Sequence, residues 1–149
     1  MLHEVVAPKV GAELVVASDR LTVLLTHGDS GAPFEVFELE GPRDSGPPPH
    51  AHAWVESYYV IEGEVLTSFD GIDRVAKAGD FVTVAAGTVH SYRILSDTAK
   101  ALVTTSGNGA SKFFADMDAN VAPGFPTAET LPIIVEVAKR NGLTSPIFG

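Results

Sequence analysis

The sequence predicts an all-β fold, a sandwich or barrel of antiparallel strands, followed by two short helices. Between residues 13 and 105, short segments rich in β-branched and aromatic residues recur, and many alternate apolar with polar positions, as strands do. Turn residues separate these segments, among them Asp70-Gly71, a pair that favours a tight hairpin turn. Beyond residue 105 the apolar spacing changes to that of a helix. Many short strands at regular spacing are typical of a sandwich or barrel.

The predicted strands number nine, in chain order Glu13–Ala17, Leu21–Thr26, Phe34–Glu40, Ala51–Trp54, Ser57–Glu62, Glu64–Phe69, Phe81–Val84, Val89–Leu95 and Ala99–Thr105. Three consecutive prolines, Pro47–Pro49, precede the fourth strand and hold the chain extended there. These prolines either set the direction of the residues that follow or simply end a loop at a strand edge.

Two helices are predicted after the last strand. Ser111 caps the first helix, which runs to Asp118, because a serine hydroxyl can accept a hydrogen bond from a free backbone N–H. Thr127 caps the second helix, which runs to Arg140 and is ended by Gly142. We expect this pair to pack on the outside of the barrel or across its mouth, in a structural role. The apolar stripe of the second helix comprises Leu131, Ile134, Val135 and Ala138.

Length and composition predict one domain over residues 1–149, with the barrel at about 13–105 and the helical segment at about 110–142. A net charge of -9 makes nucleic acid and anionic membrane surfaces poor partners. The chain has no cysteine, which excludes disulfides and thiolate ligands and fits a reducing compartment. Because no leader pattern and no membrane-spanning apolar run is visible, we expect a cytoplasmic protein.

Four residues of the central region have the spacing of a metal site: His50, His52, Glu56 and His90. Residues two and four apart on a strand share a face, so the first three would point the same way if extended. His90 on a neighbouring strand would complete the set. A lone histidine is usually a core or surface residue with a hydrogen-bond partner, but three with a carboxylate predict one divalent transition metal per chain. Fe, Mn, Co, Ni, Cu and Zn all accept such ligands.

The same residues resemble the two motifs of the cupin superfamily, G-x5-H-x-H-x3,4-E-x6-G and G-x5-P-x-G-x2-H-x3-N. The matching positions are His50, His52, Glu56 and Gly63 in the first motif and Gly79, Gly87 and His90 in the second. The leading glycine, the proline and the terminal asparagine are replaced by Asp44, Ala85 and Ile94. The resemblance implies a cupin double-stranded β-helix, or jelly-roll barrel, with the four ligands inside it and one or two coordination positions open. It also implies a homodimer.

Within that superfamily the chain is similar to small single-domain proteins related to quercetin (flavonol) dioxygenases. Those enzymes use three histidines and a glutamate to open an oxygenated ring with dioxygen. The similarity implies a metal-dependent dioxygenase for a small aromatic or enolisable substrate. A non-oxidative isomerase, cyclase or lyase is a second interpretation, and a non-catalytic ligand-binding cupin is a third. An apolar substrate is favoured by the lining expected from Val60, Phe81, Val84 and Ile94.

Catalytic roles are predicted for Glu56 and Tyr58. Glu56 is either a ligand alone or also a base that takes a proton from the substrate. Tyr58 and Tyr92 lie two residues past Glu56 and His90 on presumed inward faces. Tyr59 should point the opposite way, towards a second sheet or a dimer interface. Trp54 is expected to serve in packing, the carboxylates of Glu62 and Glu64 to be solvated, and His3 and His27 to lie at the surface.

Overall fold

A computed structural model describes residues 12–148, apart from the side chains of Asp29 and Ser30, so His3 lies outside the described residues. In this part of the chain the predicted all-β class is confirmed. The strands are β1 Glu13–Val16, β2 Asp19–Leu25, β3 Phe34–Pro42, β4 Glu56–Glu62, β5 Glu64–Phe69, β6 Ile72–Lys77, β7 Phe81–Val84, β8 His90–Ile94 and β9 Thr98–Ser106. The helices are α1 His27–Ser30, α2 Gly109–Asn120 and α3 Leu131–Arg140.

The strands form two antiparallel sheets. The larger has the order β1-β2-β3-β9-β4-β7 and the smaller the order β6-β5-β8. Strands that are distant in sequence are therefore neighbours: β9 lies between β3 and β4. The inward side chains of both sheets make most of the core. Its largest fully buried apolar residues are Phe37, Leu21, Ile94, Val60 and Val84 of the strands and Val137 of α3. This order brings the start of β4 and the start of β8 to the same interior.

Two features of the strands differ from the sequence-based expectation. Ala51–Trp54 is not a strand: His50 bridges to His90 and Ala51 to Thr144, which are different segments, so no continuous ladder forms. Strand β6 was not predicted from the sequence. In the structure only Ala76 of its residues is buried. A polar edge strand lacks the apolar alternation on which the prediction depends.

The alternation of side chains along β7 also corrects the predicted lining. Phe81 is 66% exposed, whereas Val82 and Val84 are buried. Because neighbouring residues of a strand face opposite sides, the inward positions of Val82 and Val84 place Phe81 outside. Tyr59 lies opposite Phe81 in the sheet and is exposed as well, as its parity predicted.

The helices differ from the prediction at their N-termini. The N-cap of α2 is Asn108, without a side-chain hydrogen bond, so the predicted cap at Ser111 is wrong. Instead, the buried carboxylate of Glu35 on β3 accepts a hydrogen bond from the Ser111 backbone N–H, at 3.0 Å. Thr127 does form reciprocal hydrogen bonds with Thr130, but in the turn before α3. Among the helices within residues 12–148, none is long and apolar enough to cross a membrane.

Candidate metal centre and its cavity

Three imidazoles converge inside the barrel. Each of His50, His52 and His90 offers a ligand atom that lies within 4.8 Å of the other two. His50 and His90 exchange two backbone hydrogen bonds, of 3.0 and 2.8 Å, so the loop after the prolines is joined directly to β8. His52 follows two residues later, and its ring lies 4.7 Å from that of His90 between centroids. The predicted convergence of the three histidines is therefore present.

Each of these histidines has one ring nitrogen held by a backbone carbonyl. Nδ1 of His50 donates to Pro48 O at 2.8 Å, Nδ1 of His52 to Trp54 O at 3.0 Å, and Nδ1 of His90 to Thr88 O at 2.8 Å. Because a carbonyl oxygen can only accept, the proton of each neutral ring lies on Nδ1. Nε2 is then the unprotonated atom with a free lone pair. Carbonyl partners of this kind fix the tautomer and orientation of metal-binding histidines.

Glu56, the first residue of β4, brings a carboxylate to the same place. Its Oε2 lies 3.3 Å from Nε2 of His90 and 3.9 Å from Nε2 of His52. Nε2 of His90 is buried and has no hydrogen-bond partner. A buried polar atom without a partner is costly, and a metal ion would remove that cost. Three imidazole nitrogens and one carboxylate oxygen are also a donor set that divalent transition metals accept. The residues present therefore fit such an ion.

The charge states of the four residues follow from their burial and their proximity. Burial, and next the neighbouring His90, lowers the pKa of His50 to about 4. Burial likewise lowers the pKa of His52, against the effect of Glu56. Burial would raise the pKa of Glu56, but the three histidines outweigh it and the pKa is lowered. Burial would lower the pKa of His90, but the neighbouring carboxylate of Glu56 and the Thr88 carbonyl outweigh it and the pKa is raised. A metal binds the ionised carboxylate and the neutral form of each imidazole.

Trp54 supports His52 from outside the cluster. Its ring stacks on the imidazole with 4.2 Å between centroids and 8° between planes, and its carbonyl is the partner of Nδ1. On the other side, a Cβ atom at Gly109 would come within 2.8 Å of the indole. Trp54 therefore fixes the orientation of the candidate ligand His52. This role goes beyond the packing that the sequence predicted for it. The sequence signal was its position two residues past His52.

The candidate metal centre opens onto an interior cavity of about 220 Å³. His50, Glu56, Tyr58 and Tyr92 all line it, so both tyrosines occupy the inward positions that strand parity predicted. Of the predicted apolar lining, Ile94 is present. The helical segment contributes apolar side chains that were not expected there, namely Phe113, Phe114, Met117, Ile134 and Ala138.

A second polar cluster lies on the wall of the same cavity. The buried carboxyl group of Asp19, at the start of β2, accepts hydrogen bonds from the hydroxyls of Ser45 and Tyr92. Burial raises the pKa of Asp19, and the two hydrogen bonds oppose that change. Asp19 could not be identified from the sequence, because this residue follows Ala17-Ser18 in a segment typical of a surface turn.

Comparisons with known proteins agree with this fold. Residues 36–106 match the family model described as Cupin domain. Quercetin 2,3-dioxygenase of Bacillus subtilis (strain 168) is 31% identical over 91 residues, which are 60% of this chain and 27% of that protein. The chain thus spans about a quarter of the length of this curated relative.

Solved structures show the same likeness. KdgF from Halomonas sp. superposes with a TM-score of 0.64 at 15% identity, over 72% of this chain and 96% of that chain. An RmlC-like cupin from Shewanella frigidimarina gives a TM-score of 0.61 at 19% identity, over 70% and 91% of the two chains. The resemblance that the motifs predicted is confirmed in sequence and in fold.

Proposed function

Because residues 36–106 match the family model described as Cupin domain, we propose that the protein is a metal-dependent dioxygenase for a small aromatic or enolisable substrate. The observation that carries this proposal is the set of three oriented histidines with Glu56 beside them, of which His50 and Glu56 line a largely apolar cavity. The sequence similarity to quercetin 2,3-dioxygenase supports it.

His50, His52, Glu56 and His90 would hold one divalent transition metal per chain. When bound, such an ion supplies Lewis acidity and, if it is redox-active, a route for dioxygen to the substrate. The protein supplies the orientation of the ligands and the apolar surroundings of the substrate. The backbone carbonyls keep each Nε2 directed inwards, and the apolar walls exclude water and hold an organic substrate in position.

Glu56 and Tyr58 are the candidates for proton transfer. Glu56 lines the cavity and carries the only carboxylate of the donor set, so it can take a proton from a substrate hydroxyl. Contact with a metal weakens its basicity, and this role therefore requires the carboxylate to leave the ion when substrate binds. Burial, and next the charge of Glu56, raises the pKa of Tyr58 well above its ordinary value. Tyr58 thus stays protonated and can donate a hydrogen bond to a substrate oxygen.

The protonated phenol of Tyr58 also favours a second candidate function, a non-oxidative isomerase, cyclase or lyase. A hydrogen-bond donor beside a Lewis acid stabilises an enolate without any need for dioxygen. The four candidate ligands accept redox-inactive zinc as readily as iron. The two functions therefore differ in their dependence on the ion rather than in the protein groups they use.

The experiment that separates them is oxygen uptake by protein reconstituted with a single metal. The apo-protein is loaded in turn with Fe, Mn, Co, Ni, Cu or Zn and given flavonols, catechols and 1,3-dicarbonyl compounds. A dioxygenase consumes oxygen with redox-active ions and not with zinc, which has no redox chemistry. Zinc-loaded protein that converts substrate at the same rate, without oxygen uptake, would favour the isomerase, cyclase or lyase. Absence of turnover with every ion and compound class would favour a ligand-binding cupin.

We also propose that the protein forms a homodimer through the outer face of the larger sheet. Tyr59 and Phe81 are adjacent on that face and are 46% and 66% exposed, and an aromatic pair is a common anchor of interfaces. Sedimentation of Phe81→Lys should then show monomers. Ile72→Lys, at an exposed apolar position on the smaller sheet, is the matched control and should stay dimeric. The cytoplasmic location stays a prediction from the sequence.

A further inference from the structure

The two tyrosines of the cavity differ in what their hydroxyl groups can do. The hydroxyl of Tyr58 has no hydrogen-bond partner among residues 12–148, so it can donate and accept. The hydroxyl of Tyr92 donates to Oδ2 of Asp19. A phenol has one proton, and in Tyr92 that proton is already used. The Tyr92 oxygen can therefore offer a ligand only its lone pairs.

Asp19 is held so firmly that its carboxyl group cannot turn away from the Tyr92 hydroxyl. Ser45 Oγ donates to its other oxygen, Oδ1, and Ser18 Oγ lies 2.5 Å from Ser45 Oγ. Asp19 is only 5% exposed. A Cβ atom at Gly41 would overlap its Oδ1, which shows how closely the neighbouring strand packs against the carboxyl group. Both carboxyl oxygens of Asp19 therefore act as acceptors in a fixed position.

Tyr92 also lies at a useful distance from the candidate metal centre. It is two residues past His90 on β8, on the same face, which separates the two Cα atoms by about 6.6 Å. His50 and Glu56 line the same cavity as Tyr92 and Asp19. The lining of the cavity thus includes two candidate metal ligands and the Tyr92–Asp19 pair, together with apolar side chains such as Val65 and Val103.

We propose that the hydroxyl oxygen of Tyr92 is a specificity-determining acceptor for a hydroxyl or N–H group on the part of the substrate that lies away from the metal. This inference rests on the proposed function, because the metal-binding group of the substrate sets its orientation. A ligand with a donor at that position gains a hydrogen bond. A ligand with an ether or other acceptor there faces an oxygen that has no proton to give, and it loses its hydrogen bond to water.

The test uses isothermal titration calorimetry of zinc-loaded protein with catechols, which a zinc ion should not oxidise because it has no redox chemistry. The probes are 4-(2-hydroxyethyl)catechol, 4-(3-hydroxypropyl)catechol and the methyl ether of each side-chain hydroxyl. We expect the wild type to bind the alcohol about 5- to 10-fold more tightly than its ether at one of the two chain lengths, as one net hydrogen bond implies. In Tyr92→Phe this ratio should fall to about 1, with ether binding unchanged. Tyr59→Phe removes a phenol hydroxyl on the outer face of the larger sheet; it is the matched control and should keep the wild-type ratio.

The outcomes separate this inference from the function on which it rests. If the alcohol has no advantage in the wild type, or keeps it in Tyr92→Phe, the role of Tyr92 is wrong while the metal centre stands. Equal weakening of all four probes in Tyr92→Phe, with a lower melting temperature, would show a purely structural residue and also overturns the inference. If zinc-loaded protein binds none of the catechols, the proposed function fails and this inference fails with it.

Discussion

His50 and His90 are joined by two backbone hydrogen bonds, of 3.0 and 2.8 Å, and their rings lie 4.3 Å apart between centroids. One residue follows the three prolines and the other begins β8, so the position of two candidate ligands depends on a single backbone bridge. Side chains that are fixed in this way need little rearrangement to bind an ion. The consequences can be tested at the metal, at the carboxylate and at the supporting residues.

Removal of one imidazole should remove the metal. We expect about one metal ion per chain in the wild type and a large loss in His90→Ala, because only two of the three imidazoles then remain and Glu56 loses its nearest neighbour. Elemental analysis of the purified proteins measures the number of metal ions per chain. His27→Ala removes a histidine outside the cluster and should keep the wild-type content. Equal metal in all three proteins would contradict the predicted site.

Replacement of Glu56 by glutamine should separate metal binding from proton transfer. The three histidines can hold an ion without it, so Glu56→Gln should keep most of its metal. If Glu56 acts as a base, turnover per bound metal should fall by about 10²- to 10⁴-fold. The measurement is the rate with the substrate found in the oxygen-uptake assay, divided by the metal content. An unchanged normalised rate would leave Glu56 as a ligand only, and Tyr58→Phe would be tested next.

Trp54 should report metal binding by its fluorescence. It is the only tryptophan of the chain, and its ring lies 4.2 Å from that of His52. Cu, Co or Ni bound at the histidines should strongly quench its emission in a saturable titration, whereas zinc should change the intensity little. The same titration with His90→Ala should require much higher concentrations. Quenching that never saturates, or that is identical in the variant, would place the ion elsewhere.

Glu35 should be a major contributor to stability. Its fully buried carboxylate accepts hydrogen bonds from the backbone N–H groups of Ser111 and His27, at 3.0 and 3.2 Å. Glu35→Ala leaves both donors without a partner, which should cost about 2–4 kcal/mol of the free energy of unfolding. Glu35→Gln retains an acceptor oxygen and should lose less. Urea denaturation measures both variants, and equal losses would contradict this expectation, because glutamine keeps both the side-chain volume and one acceptor oxygen.

The ion pair between α2 and α3 should make stability depend on pH. Hydrogen bonds from Arg140 and Asn141 lower the pKa of Asp116 from its ordinary value of 3.8. A carboxyl group whose pKa is lower in the folded state stabilises the fold above its unfolded pKa, and that contribution is lost as the pH falls through the folded value. Asp116→Asn should therefore melt at a lower temperature than the wild type at pH 5–7. The difference should shrink below pH 3.8, as thermal melts across that range would show.

The strands that could be predicted are those with one buried and one exposed face. β9 is an example: it alternates buried and half-buried positions over most of its length, and period two is readable in a sequence. β6 is the contrary example, since a polar edge strand carries no such signal. The candidate ligands were predicted by residue type and spacing, although His50 and His52 reach the site from a bridged loop rather than from the strand that was expected.

The sequence by itself determined the all-β class, the positions of most strands and the identity of the four candidate metal ligands. These depend on alternation, turn residues and short spacings, all of which are local in the chain. Only the tertiary structure decided the roles of Asp19 and Glu35, whose hydrogen-bond partners Tyr92 and Ser111 are 73 and 76 residues away. A buried carboxylate cannot be distinguished from a surface charge in a sequence, because its burial is produced by packing between distant elements and not by its neighbours in the chain.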